Sequence, residues 1–394
     1  MARHFTPRDM LRRVPGPLLL DLFRLHAPDA TASTTAADIG DPEAAYAVLA
    51  ALPRDARAAV EKALRQAHDL GTKAGLGMLV AEAQYQGAGA ADPGRDCGPE
   101  AAALAFALRH PAIFLKVDLI RQSDQLFQRY WQVRTGLADA AFDPTPPSIT
   151  RLRGELAHAV GGQLREAEGR GLRCTVEYYA YLGREHYFFC YPDDYTATAI
   201  AHDEGGRLRR RLVRPTFEVI FCYEPAARSL HVYAPVPRDT RALFVAHFCR
   251  IALGCEPPPE DPRRPAYRLD LLRAREFALP FDPADGVTSV RPVKLRFSEH
   301  LSGGTRITLE LAKDDPRPVR EAVEQYLSVE RFPLREWHLT QIALEVQYHA
   351  PGEAQARRFQ FEVTHPHSCS LKNKSDLERS LGEKLLADWG LTHA

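Results

Sequence analysis

The hydrophobic periodicity of this chain changes along its length, and this change limits the folds that it can adopt. In the first 140 residues or so, apolar side chains recur at helix spacing, as at Val60, Leu64 and Ala67. Towards the C-terminus they alternate with polar side chains, as at Ile342 and Leu344, which is the pattern of half-buried strands. We therefore predict an α+β fold: a helical N-terminal domain followed by a mainly antiparallel sheet domain with helices packed on one face.

The sheet is predicted to begin in the stretch from Arg173 to Ala234, which holds the densest aromatic cluster of the chain. Runs of β-formers separated by turn residues predict four strands there: 173–181, 185–191, 216–223 and 229–235. The segment Phe217–Tyr223 is almost entirely apolar, which predicts a central strand that is buried on both faces.

Three segments are predicted from these patterns. Residues 1–142 form a helical N-terminal domain, and the proline-rich residues 143–150 form a linker. Residues 151–394 form an α+β domain with an antiparallel sheet, which ends in a capping helix. The start of that last helix is marked by Ser375 and Glu378, which have the spacing of a capping box.

Composition restricts the compartment more than the function. The 394-residue chain has 51 basic and 51 acidic residues, so it lacks the basic excess that is common in nucleic-acid-binding proteins. Its seven cysteines include no CxxC pair and lie mostly in apolar runs, which favours reduced, buried thiols. No apolar run is long enough for a membrane helix, and the N-terminus lacks a signal-peptide core. We predict a cytoplasmic protein that does not associate with membranes, and the abundance of arginine and alanine is typical of bacteria with GC-rich genomes.

The candidate binding surface is a hairpin with the most concentrated positive charge in the chain. Its five arginines are Arg207, Arg209, Arg210, Arg211 and Arg214. In an extended strand Arg207, Arg209 and Arg211 would share one side. Tyrosines that could stack on bases lie nearby in sequence, at positions 178, 179, 181, 187 and 191. Arginines with stacking rings favour nucleic acid, whereas acidic neighbours such as Asp203 and Glu204 favour a solvated hairpin or an acidic protein partner.

A weaker candidate is a metal site formed by His365, His367 and Cys369. In an extended segment these three residues would project to one side, as zinc ligands require. Their spacing matches none of the standard zinc patterns, so the simpler interpretation is the end of a strand passing into a loop. The only cofactor that the sequence indicates is therefore a zinc ion at this site.

Motifs for other chemistry are missing from the sequence. It contains no GxxxxGK[ST] loop, no GxGxxG after a predicted strand and no GxSxG nucleophile motif. The nearest materials for a metal-dependent nuclease are Asp193, Asp194, Glu310 and Lys313. The two aspartates follow Pro192, a context that favours a turn, and Glu310 and Lys313 do not have the spacing of a nuclease motif.

These patterns favour binding over catalysis. We predict a non-catalytic binding or regulatory component of a bacterial multi-protein system, which contacts a protein or a nucleic acid through the arginine-rich hairpin. Two alternatives stay open: a dedicated nucleic-acid-binding protein, and a metal-dependent nuclease or hydrolase. The sequence specifies neither the partner nor the oligomeric state.

Overall fold

The structure is a computed structural model. It describes residues 5–392 except 89–97, 127–130, 135–136, 138–141, 204, 258–266, 274–278, 301–302, 313–314, 316, 328–336, 351–354 and 366–367. The chain divides into two compact units. Unit 1 contains Met1–Asp124 and Asp143–Cys222, and unit 2 contains Gln125–Phe142 and Tyr223–Ala394.

The N-terminal part of unit 1 is helical, as predicted. Its helices are α1 (Pro7–Arg13), α2 (Gly16–His26), α3 (Pro42–Ala51), α4 (Arg54–Leu70), α5 (Lys73–Tyr85), α6 (Pro99–Arg109) and α7 (Pro111–Leu126). The first helix begins where the sequence indicates, because the Thr6 hydroxyl accepts a hydrogen bond from the Asp9 amide and Pro7 occupies the first helical position. Phe23, Leu64 and Leu104 are fully or almost fully buried among these helices.

Apolar side chains at helix spacing from Ile113 to Trp131 predict one long helix over residues 111–132, and this prediction is wrong at its C-terminal end. Helix α7 ends at Leu126, and strand β1 (Trp131–Arg134) follows four residues that lie outside the described part. This strand is antiparallel to Leu230–Tyr233. Tryptophan and valine favour strands, and the hydrogen-bonding partner lies about a hundred residues away, so helix periodicity alone cannot detect it.

The following helix, α8 (Pro146–Glu168), starts inside the predicted linker. Pro146 and Pro147 occupy its first two positions, where proline is favoured because those N–H groups have no partner within the helix. Unit 1 includes residues 143–222 with the N-terminal helices, so it does not coincide with the predicted domains. Independent folding of residues 1–142 and 151–394 stays a prediction.

All four strands predicted between residues 173 and 235 are present, and two more lie among them. The elements are β2 (Cys174–Tyr181), β3 (Glu185–Pro192), β4 (Ala197–His202), β5 (Leu208–Val213), β6 (Val219–Glu224), β7 (Ser229–Tyr233) and α9 (Arg238–Phe248). Strands β6, β3 and β2 are neighbours in that order, and α8 packs against β2 and β3. Val219–Cys222 are completely buried, as their apolar run predicts.

Unit 2 contains a second antiparallel sheet. Its elements are β8 (Val287–His300), β9 (Gly303–Glu310), α10 (Val319–Tyr326), β10 (His338–His349), β11 (Ala356–Thr364), β12 (Ser368–Cys369) and α11 (Asp376–Asp388). The strand order is β12-β11-β10-β8-β9, and each pair is antiparallel. Helices α10 and α11 contribute Val323 and Leu385 to one core with Leu344 and Phe361 of the sheet. The fold is therefore α+β, as predicted.

Two further predictions are confirmed. The capping box at the start of α11 is formed by reciprocal hydrogen bonds between Ser375 and Glu378. The six cysteines in the described residues are free thiols, and Cys97 lies outside that part. None of the described helices is long and apolar enough to cross a membrane.

Candidate partner-binding surface

The arginine-rich segment forms a β-hairpin that is fully exposed along both strands. Strands β4 and β5 pair only with each other among the described residues, in register from Ala197 with Val213 to His202 with Leu208. Every residue of both strands is exposed. We call residues 197–213 the arm. An isolated two-stranded hairpin buries little apolar surface of its own, so its presence requires anchoring, a partner or both.

Alternation along the two strands gives the arm two chemically different faces. Residues directly opposite each other in an antiparallel pair share a face. The alanine–arginine face consists of Ala197, Ala199, Ala201, Arg209, Arg211 and Val213. The leucine face consists of Thr198, Ile200, His202, Leu208, Arg210 and Leu212. The predicted common side of Arg209 and Arg211 is therefore correct, while Arg207 lies in the turn and Arg210 points the other way.

The leucine face exposes three large apolar side chains on a surface of only six residues. Leu212 is 79% exposed, Ile200 59% and Leu208 52%. The side chain of Arg210 lies opposite Ile200 in the centre of this face. Isolated exposed leucines are ordinary, but three on one face of a two-stranded hairpin are typical of a surface that becomes covered on binding.

The alanine–arginine face forms one wall of a cleft whose volume is about 500 Å³. Five of its residues line the cleft together with Arg54 of α4 and the hairpin turn; they are Ala199, Ala201, Arg209, Arg211 and Val213. Asp203 organises the turn by accepting hydrogen bonds from the Gly205 and Arg207 amides at 3.1 and 2.9 Å. It also accepts one from Arg209 Nε at 2.8 Å. The hydrogen bonds from the Arg209 side chain and the Arg207 amide lower the pKa of the Asp203 carboxyl.

The root of the arm is fixed to the body of unit 1 by Arg170, which follows helix α8. Its guanidinium pairs with Glu168 at 2.7 Å and with Asp194 at 2.8 Å. It also stacks on the Phe217 ring at 4.1 Å from the centroid, and Tyr195 lies at 5.3 Å. The segments entering and leaving the arm are thus held by one nearly buried arginine.

The tyrosines that could stack on nucleic-acid bases are mostly used within the sheet. Tyr181 and Tyr187 are buried, and the Tyr187 hydroxyl donates a hydrogen bond to Glu185 at 2.6 Å. Tyr178 and Tyr179 are half-buried, and Tyr191 is too. The Tyr178 hydroxyl is 2.8 Å from His186 Nδ1. Because Tyr181 and Tyr187 lie in the core, they cannot stack on bases at the surface.

Only part of the candidate metal site lies in the described residues. His365 and Cys369 flank the end of β11 and the start of β12, and His367 lies outside. Burial lowers the pKa of His365 and raises the pKa of the Cys369 thiol to about 12, which disfavours the thiolate form that binds zinc. The zinc site stays a prediction. Metal analysis of the purified protein and of a His367→Ala variant would test it.

Carboxylates that could serve a nuclease have structural partners. Asp194 pairs with Arg170, and Asp193 accepts a hydrogen bond from the Arg173 amide at 3.2 Å. Glu310 lies 3.5 Å from Lys294 Nζ, and Lys313 lies outside the described residues. The nuclease hypothesis is not tested by these contacts, but the two aspartates are explained by the anchoring of the arm.

Sequence reasoning missed two features of this surface. The leucine face could have been found, because Leu208, Arg210 and Leu212 alternate with Arg209 and Arg211 at period two. The contribution of Arg54 to the cleft has no local sequence signal, since that residue lies in a helix far upstream. Comparison with family models, curated proteins and solved structures finds no match to this chain.

Proposed function

We propose that this protein is a non-catalytic binding component that contacts a protein partner through the arm. The observation that supports the proposal is the leucine face, with Ile200, Leu208 and Leu212 exposed around Arg210. Water-exposed apolar side chains gain about 25 cal/mol for every Å² that a partner buries. Binding would therefore supply the apolar contacts that the isolated hairpin lacks.

A protein partner fits this face better than a nucleic acid does. Leucine and isoleucine side chains gain little from a charged phosphate backbone, whereas the centre of a protein interface is apolar. Arginine surrounded by apolar contacts is a frequent hot-spot residue in such interfaces. A nucleic acid is the alternative partner, because the arm carries four arginines and Arg214 follows it directly. The experiment below distinguishes the two.

The arm is suited to docking because its root is anchored by Arg170 while its strands are accessible. Arg170 fixes both ends of the arm, and no residue of β4 or β5 is buried. A preorganised hairpin loses less conformational freedom on binding than a flexible loop would. The arm can therefore contribute affinity without folding first.

The test uses the Leu212→Ser variant as bait in cross-linking pull-downs from the native host. Leu25→Ser is the matched control, since Leu25 is a 64% exposed leucine on α2 in the same unit. We expect Leu25→Ser to retain a partner that Leu212→Ser loses, and the purified partner to bind directly with about 10-fold or greater weakening by Leu212→Ser. Equal recovery of every bound protein by both variants contradicts the proposal.

The nucleic-acid alternative is tested in parallel with a labelled single strand and a labelled duplex. Fluorescence anisotropy is measured at several salt concentrations for the wild type and for an Arg209→Ala, Arg210→Ala, Arg211→Ala triple variant. Salt-dependent binding that the triple variant weakens, with a smaller salt slope, favours the alternative. Binding that is unchanged in the triple variant excludes a role of the arm in nucleic-acid recognition.

A further inference from the structure

The cleft on the alanine–arginine face has the dimensions and charge of an anion-binding site. Its volume of about 500 Å³ is within the range of roughly 300–1,000 Å³ found for ligand sites. Ala199 and Ala201 line it together with Arg211 of the arm and Arg54 of α4. The small alanine side chains leave room for an extended chain beside the arginines.

The charges in the cleft are not balanced. Among the described residues that line it, Arg54, Arg209 and Arg211 accompany a single acidic residue, Asp203, and together these four carry a net charge of +2. Asp203 is committed to the hairpin turn and to Arg209. Within the described part of the chain, neither Arg54 nor Arg211 forms an ion pair within 4.0 Å or a side-chain hydrogen bond, although Arg54 is near enough to Asp203 to help lower the pKa of that carboxyl. Both guanidinium groups therefore have donors that a ligand can use.

We propose that this cleft binds an extended acidic segment of the partner, whose carboxylates pair with Arg54 and Arg211. The inference rests on the proposed function and adds a second contact on the opposite face of the same hairpin. Guanidinium groups bind carboxylates through two parallel hydrogen bonds, which gives geometric specificity as well as affinity. One partner can thus cover the leucine face and place acidic residues in the cleft.

The lining of the cleft favours carboxylates on a peptide over phosphates on a nucleic acid strand. Proteins that bind single strands combine positive charge with aromatic platforms on which bases stack. None of the described residues that line this cleft is aromatic apart from the imidazole of His202 at the strand end. The alanines offer a peptide backbone close approach but offer a base little contact.

The experiment uses a fluorescein-labelled ten-residue peptide of alternating Glu and Asp as the probe. The same peptide with Gln and Asn is the neutral control, and a thymidine oligonucleotide tests the phosphodiester source of negative charge. We expect the acidic peptide to bind the wild type and the neutral peptide to bind much more weakly. Arg54→Ala and Arg211→Ala should each weaken binding of the acidic peptide about 10-fold to 100-fold, the range for charged hydrogen bonds.

Two further variants separate a shaped site from general attraction. Arg210→Ala removes the same charge from the leucine face of the hairpin, and we expect less than about a twofold effect on peptide binding. Ala199→Leu leaves the charge unchanged but adds bulk to the lining of the cleft, and we expect it to abolish binding. Each site is exposed on the arm, so none of these changes should unfold the protein.

The outcomes are distinct. Equal weakening of peptide binding by Arg210→Ala and Arg211→Ala, or no effect of Ala199→Leu, would show unspecific attraction and overturn the proposal that the cleft is the binding site. If the oligonucleotide binds more tightly than the acidic peptide, with the same dependence on Arg54, the cleft binds phosphodiesters. That result would overturn the proposal that its ligand is an acidic segment. Failure of the acidic peptide to bind would also overturn it, while loss of a partner in Leu212→Ser alone would leave the proposed function standing.

Discussion

A buried ion pair in unit 1 provides the sharpest test of how the helices and strands of that unit are joined. Glu82 of α5 is completely buried and pairs with Lys116 of α7 at 2.7 Å. Its carboxylate also accepts hydrogen bonds from Gln86 at 2.7 Å and from the Leu182 amide at 2.9 Å. Lys116 in turn donates to the carbonyl of Ala180 at 3.1 Å.

The Leu182 amide belongs to the turn between β2 and β3. Leu182 and Gly183 both have positive φ, at 51° and 63°, and such a conformation costs a leucine about 1–2 kcal/mol. A side chain on Gly183 would collide with the ring and the hydroxyl of Tyr85. The carboxylate of Glu82 therefore holds a strained turn against helix α5.

We predict that Glu82→Gln lowers the free energy of unfolding by about 3–5 kcal/mol. The substitution conserves shape but leaves Lys116, whose side chain is only 17% exposed, as an uncompensated charge that is largely shielded from water. For a cooperative unit of 150–250 residues, this loss lowers the melting temperature by roughly 6–20 °C. Thermal unfolding of the full-length protein, followed by calorimetry, measures the shift.

The double variant Glu82→Gln, Lys116→Met is the informative control. Removing both charges leaves no unpaired ion, so we expect it to be more stable than Glu82→Gln alone. A cost below about 1 kcal/mol for Glu82→Gln would refute the reasoning. The reasoning would also be refuted if the double variant lost as much unfolding free energy as Glu82→Gln and Lys116→Met lose in sum, because the two charges would then be uncoupled.

Three other predictions concern the turn after α8, the root of the arm and the response to pH. Gly171→Ala should lower the free energy of unfolding, measured in urea, by about 2–4 kcal/mol, since φ is +77° and the new Cβ would lie 2.9 Å from Leu164 Cβ. The control is Gly162→Ala, whose Cβ would meet no atom within 4 Å and which should raise that free energy by about 0.5–1 kcal/mol. Arg170→Lys should accelerate amide hydrogen exchange in the arm and leave the rest of unit 1 unchanged, and uniform acceleration would contradict its anchoring role. Burial lowers the pKa of His186, so the unfolded chain binds a proton at this residue more readily than the folded protein does. Stability should therefore fall as pH drops below about 6.5, and this group contributes at most about 1.4 kcal/mol per pH unit. His186→Gln should reduce that slope, and an unchanged slope would assign it to other groups.

Much of the architecture could be predicted because its causes are local. The capping box at Ser375 and Glu378, the period-two strands and the buried run at 219–223 can all be predicted from adjacent residues. The start of α8 at Pro146 could also have been predicted, since prolines are as typical of the first turn of a helix as of a linker. There the same residues supported two interpretations, and only the structure separates them.

What could not be predicted depends on contacts between distant segments. Strand β1 exists because Leu230–Tyr233 pair with it, and the sequence of residues 127–134 alone does not predict that pairing. The hydrogen bond from the Leu182 amide to Glu82 likewise joins a turn to a helix far upstream. Arg54 is an ordinary first residue of a helix until the arm lies beside it. Local patterns predict elements, whereas sites arise where elements meet.

The arm shows why a count of charges is a poor guide to a partner. As a composition, five arginines in eight residues favour a polyanion, and the nucleic-acid hypothesis follows from that count. Pairing of β4 with β5 places three of these arginines in two different environments. Arg209 and Arg211 stand beside alanines, while Arg210 stands among leucines and an isoleucine. A polyanion would pair with the alanine–arginine face and leave the leucine face exposed to water, whereas an acidic protein with an apolar patch would cover both. The proposed partner therefore follows from the strand pairing and not from the number of charges.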